Sequence, residues 1–444
     1  MKFWMLRAKK IILTTIISEL ALFSLIFIVF PINKTLTFSW IHLFDIFCIS
    51  TFLFYISGKY HDLSFISKSK IIKNFFKVMT IMFITIIFSE FLSLTEYTLI
   101  SSFNDFILII FYIILININQ IIINKYFQNS HVKKKIWIIY KDKLFRKFVE
   151  SDLLEYEKNL FSNFLFVENI QDFLTTLELY KNKIKGIIVE ENFELNKKSN
   201  LDFLNSKTKG LEKVTRIDWA IRYLYRIPPS LIKKDNLKRF ANKNINFREY
   251  KIKNFCEIIL SVFLLVFTLP ITLIFSILIY LEDKGPIFYF QYRTGEKGKK
   301  IKIFKLRTMK TNAEKNGAQW SSKNDIRITK IGNILRKTRV DEIPQLLSVL
   351  NGDMSLIGPR PERPEIEILL KEKIDNYNLK YLVKPGLSGS AQVNYSYGSS
   401  VYDSDNKLSY DLFYIFNWSL IIDFLILIKT IKTVFKMEGA IAKS

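Results

Sequence analysis

FCEIILSVFLLVFTLPITLIFSILIYL, running from Phe255 to Leu281, holds a single charged residue, Glu257, and a single proline, Pro270. At about 1.5 Å per residue it is long enough to cross a hydrocarbon core of about 30 Å. Crossing would put everything after it on the far side of the membrane, and the flanks oppose that. Lys251 and Lys253 precede the stretch, and nine Lys and Arg residues against three acids follow it between 282 and 310. Basic flanks stay on the cytoplasmic side. Pro270 lacks an N–H and clashes with the preceding turn, which predicts a kink. Ser261 and Thr268 are placed to satisfy the backbone groups a kink frees. The stretch therefore reads as a re-entrant helix over 255–281 that enters one leaflet and returns. A plain fifth span with a tolerated proline is the alternative.

Upstream, residues 1–125 contain four further apolar runs: Ile11 to Phe30, Trp40 to Ile56, Val78 to Ile100 and Phe106 to Ile123. Each approaches the roughly 20 residues of a spanning helix. The segment before the first run carries Lys2, Arg7, Lys9 and Lys10, and the first loop carries only Lys34. The second loop carries Lys59, Lys68, Lys70, Lys73 and Lys77; the third carries none; Lys125, Lys133, Lys134 and Lys135 follow the fourth run. This alternation predicts a four-helix transmembrane bundle with both ends in the cytoplasm. A signal peptide at 11–30 is disfavoured, because no small-residue cleavage site precedes Pro31 and three more runs follow.

The whole chain has 444 residues, mean hydropathy +0.15 and a net charge of +24, which excludes a disordered polar chain. Its length suggests two to four domains. Topology and surface account for the charge better than a nucleic-acid footprint does, so nucleic acid is not an expected partner. Two cysteines and three histidines leave little for a disulfide framework or a structural zinc site. Residues 134–250 are soluble in character. Lys135 to Tyr140 and Ile184 to Val189 read as buried strands with helical segments between, a βαβ arrangement. The turn after the first strand is Lys141-Asp142-Lys143, with no glycine fingerprint for a dinucleotide. A degenerate Rossmann-like domain is predicted, with 196–253 a basic, irregular linker. The fold class is membrane α+β: bundle, degenerate Rossmann-like domain, and a carboxy-terminal domain over 251–444 built around the re-entrant helix.

In that last block, Ile287 to Arg293 and Lys300 to Arg307 alternate around Gly295 and Gly298 as a hairpin does. An amphipathic segment follows (Ile328, Ile331, Ile334, Leu335), then DEIPQLL from Asp341. Asp341 reads as an N-cap, Pro344 as a first-turn proline, and Gly352 as the helix stop. A carboxylate at a helix N-terminus is held ionised by free N–H groups and can attack phosphorus. Its neighbour Glu342 can hold Mg²⁺. On this pair alone a plain cap and a solvated carboxylate is the favoured reading. The context shifts the balance. Arg360, between two prolines in GPRP, suits bidentate phosphate binding, and Lys384-Pro385-Gly386-Leu387-Ser388-Gly389 is another tight turn after a basic residue.

From about Lys284 onward the chain resembles the bacterial sugar transferase family, the monotopic polyprenyl-phosphate hexose-1-phosphate transferases. The matching stretches are PIFYFQYRTGEKG (286–298), FKLRTM (304–309), RITKIGNILRKTRVDEIPQLLSVLNGDMSLIGPRPERP (327–364), KPGLSGSAQVNYSYG (384–398) and KLSYDLFYIFNWSLIIDFLILIKT (407–430). The front end looks like that of the family's large form. The resemblance implies that Asp341 takes up a phosphosugar from a UDP-sugar with release of UMP. Undecaprenyl phosphate would then attack the phosphosugar-enzyme. Glu342, with Asp341 beside it, would hold Mg²⁺. Arg360 would grip phosphate, with Lys305, Arg307 and Arg336 as further basic positions near it. The kink at Pro270 matches the family's re-entrant helix, which keeps the site at the inner leaflet among membrane lipid. A homodimer, a multi-pass position in the bacterial inner membrane and a cytoplasmic catalytic face are likewise implied. Exopolysaccharide, capsule and O-antigen pathways all stay open, as does the sugar. One departure is Ser390, where the family usually has Trp.

Two rivals remain. Asp403-Ser404-Asp405 has the form of a glycosyltransferase metal site, which would release UDP; its polar surroundings suggest a solvated loop instead. A non-catalytic scaffold for polysaccharide assembly, with Asp341 only a cap, is the other. Leu412 to Phe435 reads as an amphipathic surface helix with Trp418 at the interface, because Asp423 would cost a few kcal/mol inside a span.

Overall fold

The computed structural model describes residues 6–29, 40–57, 59, 68–92, 103–129, 136–153, 164–180, 183–190, 211–233, 247–311, 313, 325–395, 398 and 400–435. They belong to two compact units, Met1–Lys133 and Lys134–Ser444. The first unit contains four helices: α1 (Leu6–Val29), α2 (Trp40–Ser57), α3 (Lys68–Leu92) and α4 (Phe103–Asn129). Phe23, Phe47, Phe54, Val78, Met82, Tyr112 and Ile116 pack into their shared core. That core also takes in an ion pair. Lys59 Nζ lies 2.6 Å from Glu19, both 1% exposed, and sits 4.1 Å over the Phe54 ring. The third helix starts ten residues before its apolar run, so Lys70, Lys73 and Lys77 are carried on a helix and not in a loop. Lys77 Nζ donates to Ser57 O at the end of α2. The tail of that run, 93–100, lies outside the described residues.

The second unit opens with a parallel sheet of order β2-β1-β3-β4, formed by β1 (Ile136–Tyr140), β2 (Phe164–Val167), β3 (Ile184–Val189) and β4 (Glu212–Thr215). All five residues of β1 are buried. Trp137 and Ile139 face a core with Phe145 and Trp219, while Ile138 and Tyr140 face a second one with Phe173. Burial on both faces is why β1 is apolar without alternation. Helix α5 (Lys143–Lys147) starts at the carboxyl end of β1, and α6 (Ile170–Leu179) follows β2. Asp142 Oδ1 accepts from Phe145 N at 3.0 Å and pairs with buried Arg216 at 3.2 Å. The end of β1, where a dinucleotide fold presents a phosphate site, is thus filled by an internal carboxylate–guanidinium pair.

The expectation of an irregular linker over 196–253 is corrected for 211–232 and for 247–253, where a long helix already runs. Here β4 completes the sheet, and helical turns over 216–224 and 229–231 carry Ile217, Ile227 and Ile232 into a core with Leu370, Ile374, Tyr377, Leu408 and Leu412. Buried Arg226 bridges the parts, donating to Asn406 Oδ1 at 3.1 Å and to Asp152 O at 3.1 Å. Ile227 N donates to Ser409 O at 2.8 Å.

The decisive apolar stretch lies within one helix, α7 (Phe247–Asp283), which is long and apolar enough to cross a membrane. Its middle is bare: Val266 is 68% and Phe267 69% exposed. The chain stays helical through Pro270. Thr268 Oγ1 donates to Leu264 O and Thr272 Oγ1 to Thr268 O, both at 2.6 Å. The expected help at the carbonyl freed by Pro270, that of Val266, comes from neither residue: Thr268 bonds to Leu264 O, and the buried Ser261 hydroxyl has no hydrogen-bond partner among the described residues.

Both ends of α7 are fastened to the remainder of the carboxy-terminal domain. Its elements are hairpin β5 (Phe288–Thr294) and β6 (Lys300–Leu306), α8 (Lys330–Thr338), a 3-10 turn over Val340–Gln345, α9 (Leu346–Leu350), strand β7 (Ser355–Ile357), α10 (Pro364–Lys373), a 3-10 turn over Tyr377–Leu382, β8 (Gly386–Ser388), α11 (Ser390–Asn394), α12 (Val401–Asn417) and α13 (Leu420–Phe435). At the amino end, Lys253 Nζ lies 2.8 Å from Asp423 and 3.3 Å from Glu257, and donates to Ile357 O and Tyr414 Oη at 3.0 Å. Glu257 accepts from Ser355 Oγ at 2.6 Å and Leu356 N at 3.1 Å. At the carboxyl end, Glu282 accepts from Lys330 N at 2.9 Å, and Arg307 pairs with Asp283. β7 and β8 pair in parallel, and a Cβ on Gly386 would lie 2.0 Å from Gly358 N, so this close approach requires glycine.

The block 412–435 is not one helix. It breaks at Trp418, whose Nε1 donates to Asp423 at 2.9 Å. Leu412 to Phe416 belong to the end of α12 and mostly face the core, whereas α13 exposes Ile421 and Phe424.

Lys253→Met leaves Asp423 and Glu257 without their buried cation. It is expected to destabilise detergent-solubilised protein by about 3–5 kcal/mol in thermal or denaturant unfolding. Buried Asp411, on α12, offers a pH test. Burial pushes its carboxyl up to about 7, against the pull of Lys380, the Ala391 amide and Lys407. Unfolded, it titrates near 3.9, so ionisation penalises the folded state increasingly from about pH 4 to 7. Asp411→Asn should therefore gain nothing at pH 4 and about 2–4 kcal/mol above pH 7. Unfolding curves across that range check the slope.

Candidate active site

Asp341 and Glu342 lie between α8 and α9. Thr329 caps α8, accepting from Gly332 N at 2.9 Å. Arg339 then takes a left-handed backbone (φ 61°) and turns the chain into the 3-10 segment. Asp341 and Glu342 occupy that segment's first turn. Gly352, at φ 81°, closes α9 as expected.

The N-cap assignment of Asp341 is overturned. The residue lies inside the turn, one position past its start, and makes no capping bond. Its carboxylate is 7% exposed, and Oδ1 has no hydrogen-bond partner among the described residues. Burial, then the charge of Glu342, push it up to about 6, against the pull of Lys305, Arg339 and Arg336.

Glu342 is clamped by three cations. Arg360 Nη2 lies 2.7 Å and Lys305 Nζ 3.4 Å from Oε1, and Arg339 Nη1 lies 3.3 Å from Oε2. Burial alone would raise this carboxyl; Arg360, Lys305 and Arg339 outweigh it and hold it well below the usual carboxylate range. The pair thus has one firmly ionised member and one unpartnered member beside it.

Of the six expected site residues, Asp341, Glu342, Lys305 and Arg360 meet. Arg336 stays at the edge: its Nε donates to Thr308 Oγ1 at 2.9 Å, and its charge acts on Asp341. Arg307 does not join. Its position just past the end of β6 turns it to the carboxyl end of α7, where it pairs with Asp283 and donates to Ile279 O at 3.5 Å. Three residues were missed, Arg339, Arg293 and Glu362. Arg339 was legible as a cation beside the acids, but its contact depends on a left-handed backbone that the sequence does not announce. The Arg293–Glu362 pair, at 3.2 Å, joins residues 69 apart in sequence.

The D-x-D motif dissolves. Asp403 lies on the first turn of α12, not in a loop, in a capping box with Ser400, and accepts from Tyr395 Oη at 3.0 Å. Asp405, two positions along the helix and so on another face, senses Asp152, Arg226 and Asp375. Among the described residues no three His, Cys, Asp or Glu side chains gather as a metal cage. Both Glu342 oxygens already face cations, so among the described residues Asp341 Oδ1 is the carboxylate oxygen of the pair open to a Mg²⁺ that substrate phosphates would complete.

Chemically, the arrangement offers a desolvated carboxylate oxygen as nucleophile and fixed cations for a phosphoryl group. The family model described as bacterial sugar transferase matches residues 248–437. The UDP-N-acetylgalactosamine-undecaprenyl-phosphate N-acetylgalactosaminephosphotransferase of Aeromonas hydrophila is 40% identical over 189 residues, 43% of this chain and 45% of that protein. A putative undecaprenyl-phosphate N-acetylgalactosaminyl 1-phosphate transferase of Bacillus subtilis is 50% identical over 129 residues, 29% of this chain and 70% of that protein. The UDP-glucose:undecaprenyl-phosphate glucose-1-phosphate transferase of Klebsiella pneumoniae is 37% identical over 190 residues, 42% of this chain and 40% of that protein. The chain belongs to the bacterial sugar transferase family. It spans less than half the length of the Aeromonas and Klebsiella proteins it matches.

Asp341→Asn removes a buried charge repelled by Glu342. It is expected to stabilise the fold at neutral pH by on the order of 1–3 kcal/mol, read as a raised unfolding midpoint.

Proposed function

We propose that this chain transfers a sugar 1-phosphate from a UDP-sugar to undecaprenyl phosphate, giving undecaprenyl-diphosphate-sugar and UMP. This is the first membrane step of exopolysaccharide, capsule or O-antigen synthesis. The observation that carries the reading is Asp341 Oδ1, buried without a hydrogen-bond partner among the described residues, beside a glutamate clamped by Arg360, Lys305 and Arg339. In the first step an Asp341 oxygen bonds to the sugar-bearing phosphorus, the phosphorus–oxygen bond to the second phosphate breaks, and its electron pair leaves on the oxygen of UMP. In the second step the lipid phosphate attacks the same phosphorus and the aspartate carboxylate departs. Arg360, Lys305 and Arg339 face the transferred phosphoryl group with charge already in place, so no reorganisation is needed as the bond forms. Asp341, with Glu342 beside it, would hold Mg²⁺, which would supply further neutralisation of phosphate charge.

A re-entrant course for α7 is supported by its two fastened ends. Between Glu257 and Ile279 a straight helix would extend about 33 Å, yet both ends bind elements of one domain, and the middle exposes its apolar side chains. With α1 to α4 as spans, the site lies at the cytoplasmic face of the inner membrane, where a lipid phosphate and a soluble nucleotide-sugar meet.

Purified protein given undecaprenyl phosphate, Mg²⁺ and either UDP-N-acetylgalactosamine or UDP-glucose should release UMP with at least one donor. Asp341→Asn should lower the rate by about 10³-fold or more, and EDTA should stop it until Mg²⁺ is restored. Release of UDP, or full activity in Asp341→Asn, would overturn the mechanism.

A further inference from the structure

The hairpin of β5 and β6 has two unlike faces. Directly paired residues share a face. The register therefore sets Phe288 with Leu306, Phe290 with Phe304 and Tyr292 with Lys302 on one side, and Tyr289 with Lys305 and Arg293 with Ile301 on the other. The inner side is occupied: Lys305 reaches Glu342, Arg293 reaches Glu362, and Ile301 and Ile303 are buried. The outer side is bare, with Phe288 46%, Phe290 48% and Tyr292 60% exposed. These three rings line about 14 Å of strand. Phe290 meets Phe304 edge-on at 5.0 Å, and Lys302 Nζ lies 4.6 Å over the Phe290 ring. Lys297, Lys299 and Lys300 lie at the hairpin turn, and Glu296 is the single acid between 288 and 306. Among the described residues none of these four lysines forms an ion pair. A contiguous aromatic and basic patch of this kind marks a contact surface.

The stripe starts where the bare surface of α7 ends. Ile287, one residue before β5, packs with Phe275 and Ile279 of α7. Arg307, one residue after β6, donates its N–H to Ile287 O at 2.9 Å and pairs with Asp283. Tyr280 and Leu281 expose their side chains near the end of α7, and Phe288 follows at the root of the hairpin. With α7 in the bilayer, that root lies at headgroup level. Aromatic rings beside lysines suit this level, and anionic lipid phosphates answer charges that the chain leaves unanswered. A second copy fits less well, because a two-fold contact through this face would set Lys302 and the turn lysines against their own counterparts.

We infer that the outer face of this hairpin docks on the headgroup layer of an anionic bilayer, with Phe288, Phe290 and Tyr292 among the lipids and Lys302 and the turn lysines on their phosphates. The inference rests on α7 entering the bilayer, by either course, and not on the transferase chemistry. Lys305 belongs to the same two strands, so the surface that seats the outer face also steadies a cation of the site.

The test uses the full chain with Cys48→Ser and Cys256→Ser, in nanodiscs of phosphatidylcholine with roughly 30% phosphatidylglycerol. A nitroxide is placed on Tyr292→Cys, with Val266→Cys as the reference on α7 and Leu179→Cys as the reference on the soluble sheet. Collision rates are measured with oxygen, which concentrates in lipid, and with a water-soluble nickel chelate. The oxygen-to-nickel ratio at Tyr292 is expected to lie severalfold above that at Leu179. Lys300→Glu with Lys302→Glu should lower it toward the Leu179 value, because each lysine is worth about fivefold in attraction to an anionic surface. A Tyr292 label as open to nickel as Leu179, while Val266 is lipid-bound, would overturn the inference and leave the course of α7 untouched. Nickel exposure at Val266 as well would sink the membrane reading of α7 along with it. Shielding of Tyr292 from both reagents would place protein against this face, and spin–spin broadening there would identify a second copy; either overturns the inference. An unchanged ratio in the lysine variant would overturn the choice of an anionic surface.

Discussion

Everything in the carboxy-terminal half hangs on one buried ammonium. Lys253 stands at the base of α7 and is shared by Asp423, Glu257, Tyr414 and the carbonyl of Ile357. A lone charge at such a depth would be prohibitive, so the cluster exists only when α7, β7, α12 and α13 all meet. Apolar contacts could not specify this arrangement. The bare face of α7 slides against lipid or detergent equally well in many registers, whereas a lysine with four polar partners has one. The ion cluster therefore fixes the angle of the apolar helix to β7, and β7 leads directly into Gly358, Pro359 and Arg360 of the site.

The site obeys a related logic of unequal partners. Three cations gather on Glu342, and Asp341 is left to feel burial and its neighbour's charge. Neither carboxylate could play both roles. The one that is clamped keeps Arg360 and Lys305 in place, and the other keeps Oδ1 without a hydrogen-bond partner among the described residues. The 3-10 turn makes the division, because it places consecutive side chains in different surroundings: Glu342 toward β6 and the GPRP loop, Asp341 into the protein.

Local patterns foretold much of this. The hairpin was legible from its alternation and two glycines, α8 from its apolar stripe, β1 and β3 from their apolar runs, and the four dominant site residues from DEIPQ, FKLRTM and GPRP. What escaped depended on contacts distant in sequence or on backbone detail. β4 has the polar sequence EKVT and is a strand only because β3 lies beside it. Arg307 shares a motif with Lys305 but sits just beyond the strand, so it points elsewhere. Asp341 looked like a cap because its position before Pro344 suits an α-helix, whereas the chain winds more tightly there. The apolar tail over 412–435 looked continuous until Trp418 turned back to Asp423.

The shared core of Ile217, Ile227 and Ile232 with α10 and α12 bears on how such a protein can be divided. Sequence similarity to the family begins near residue 248, which invites a cut there. That cut would strip the cover from Tyr377, Leu408 and Leu412 and leave the Asn406 carbonyl without Arg226. The sheet and the catalytic part form one compact unit, Lys134–Ser444. Residues 211–232 pack both ways, with β4, Val214, Trp219 and Leu224 in the sheet and its core and Ile217, Ile227 and Ile232 against α10 and α12, so a chimera between members with unlike front ends would break one core or the other unless sheet and catalytic half travelled together.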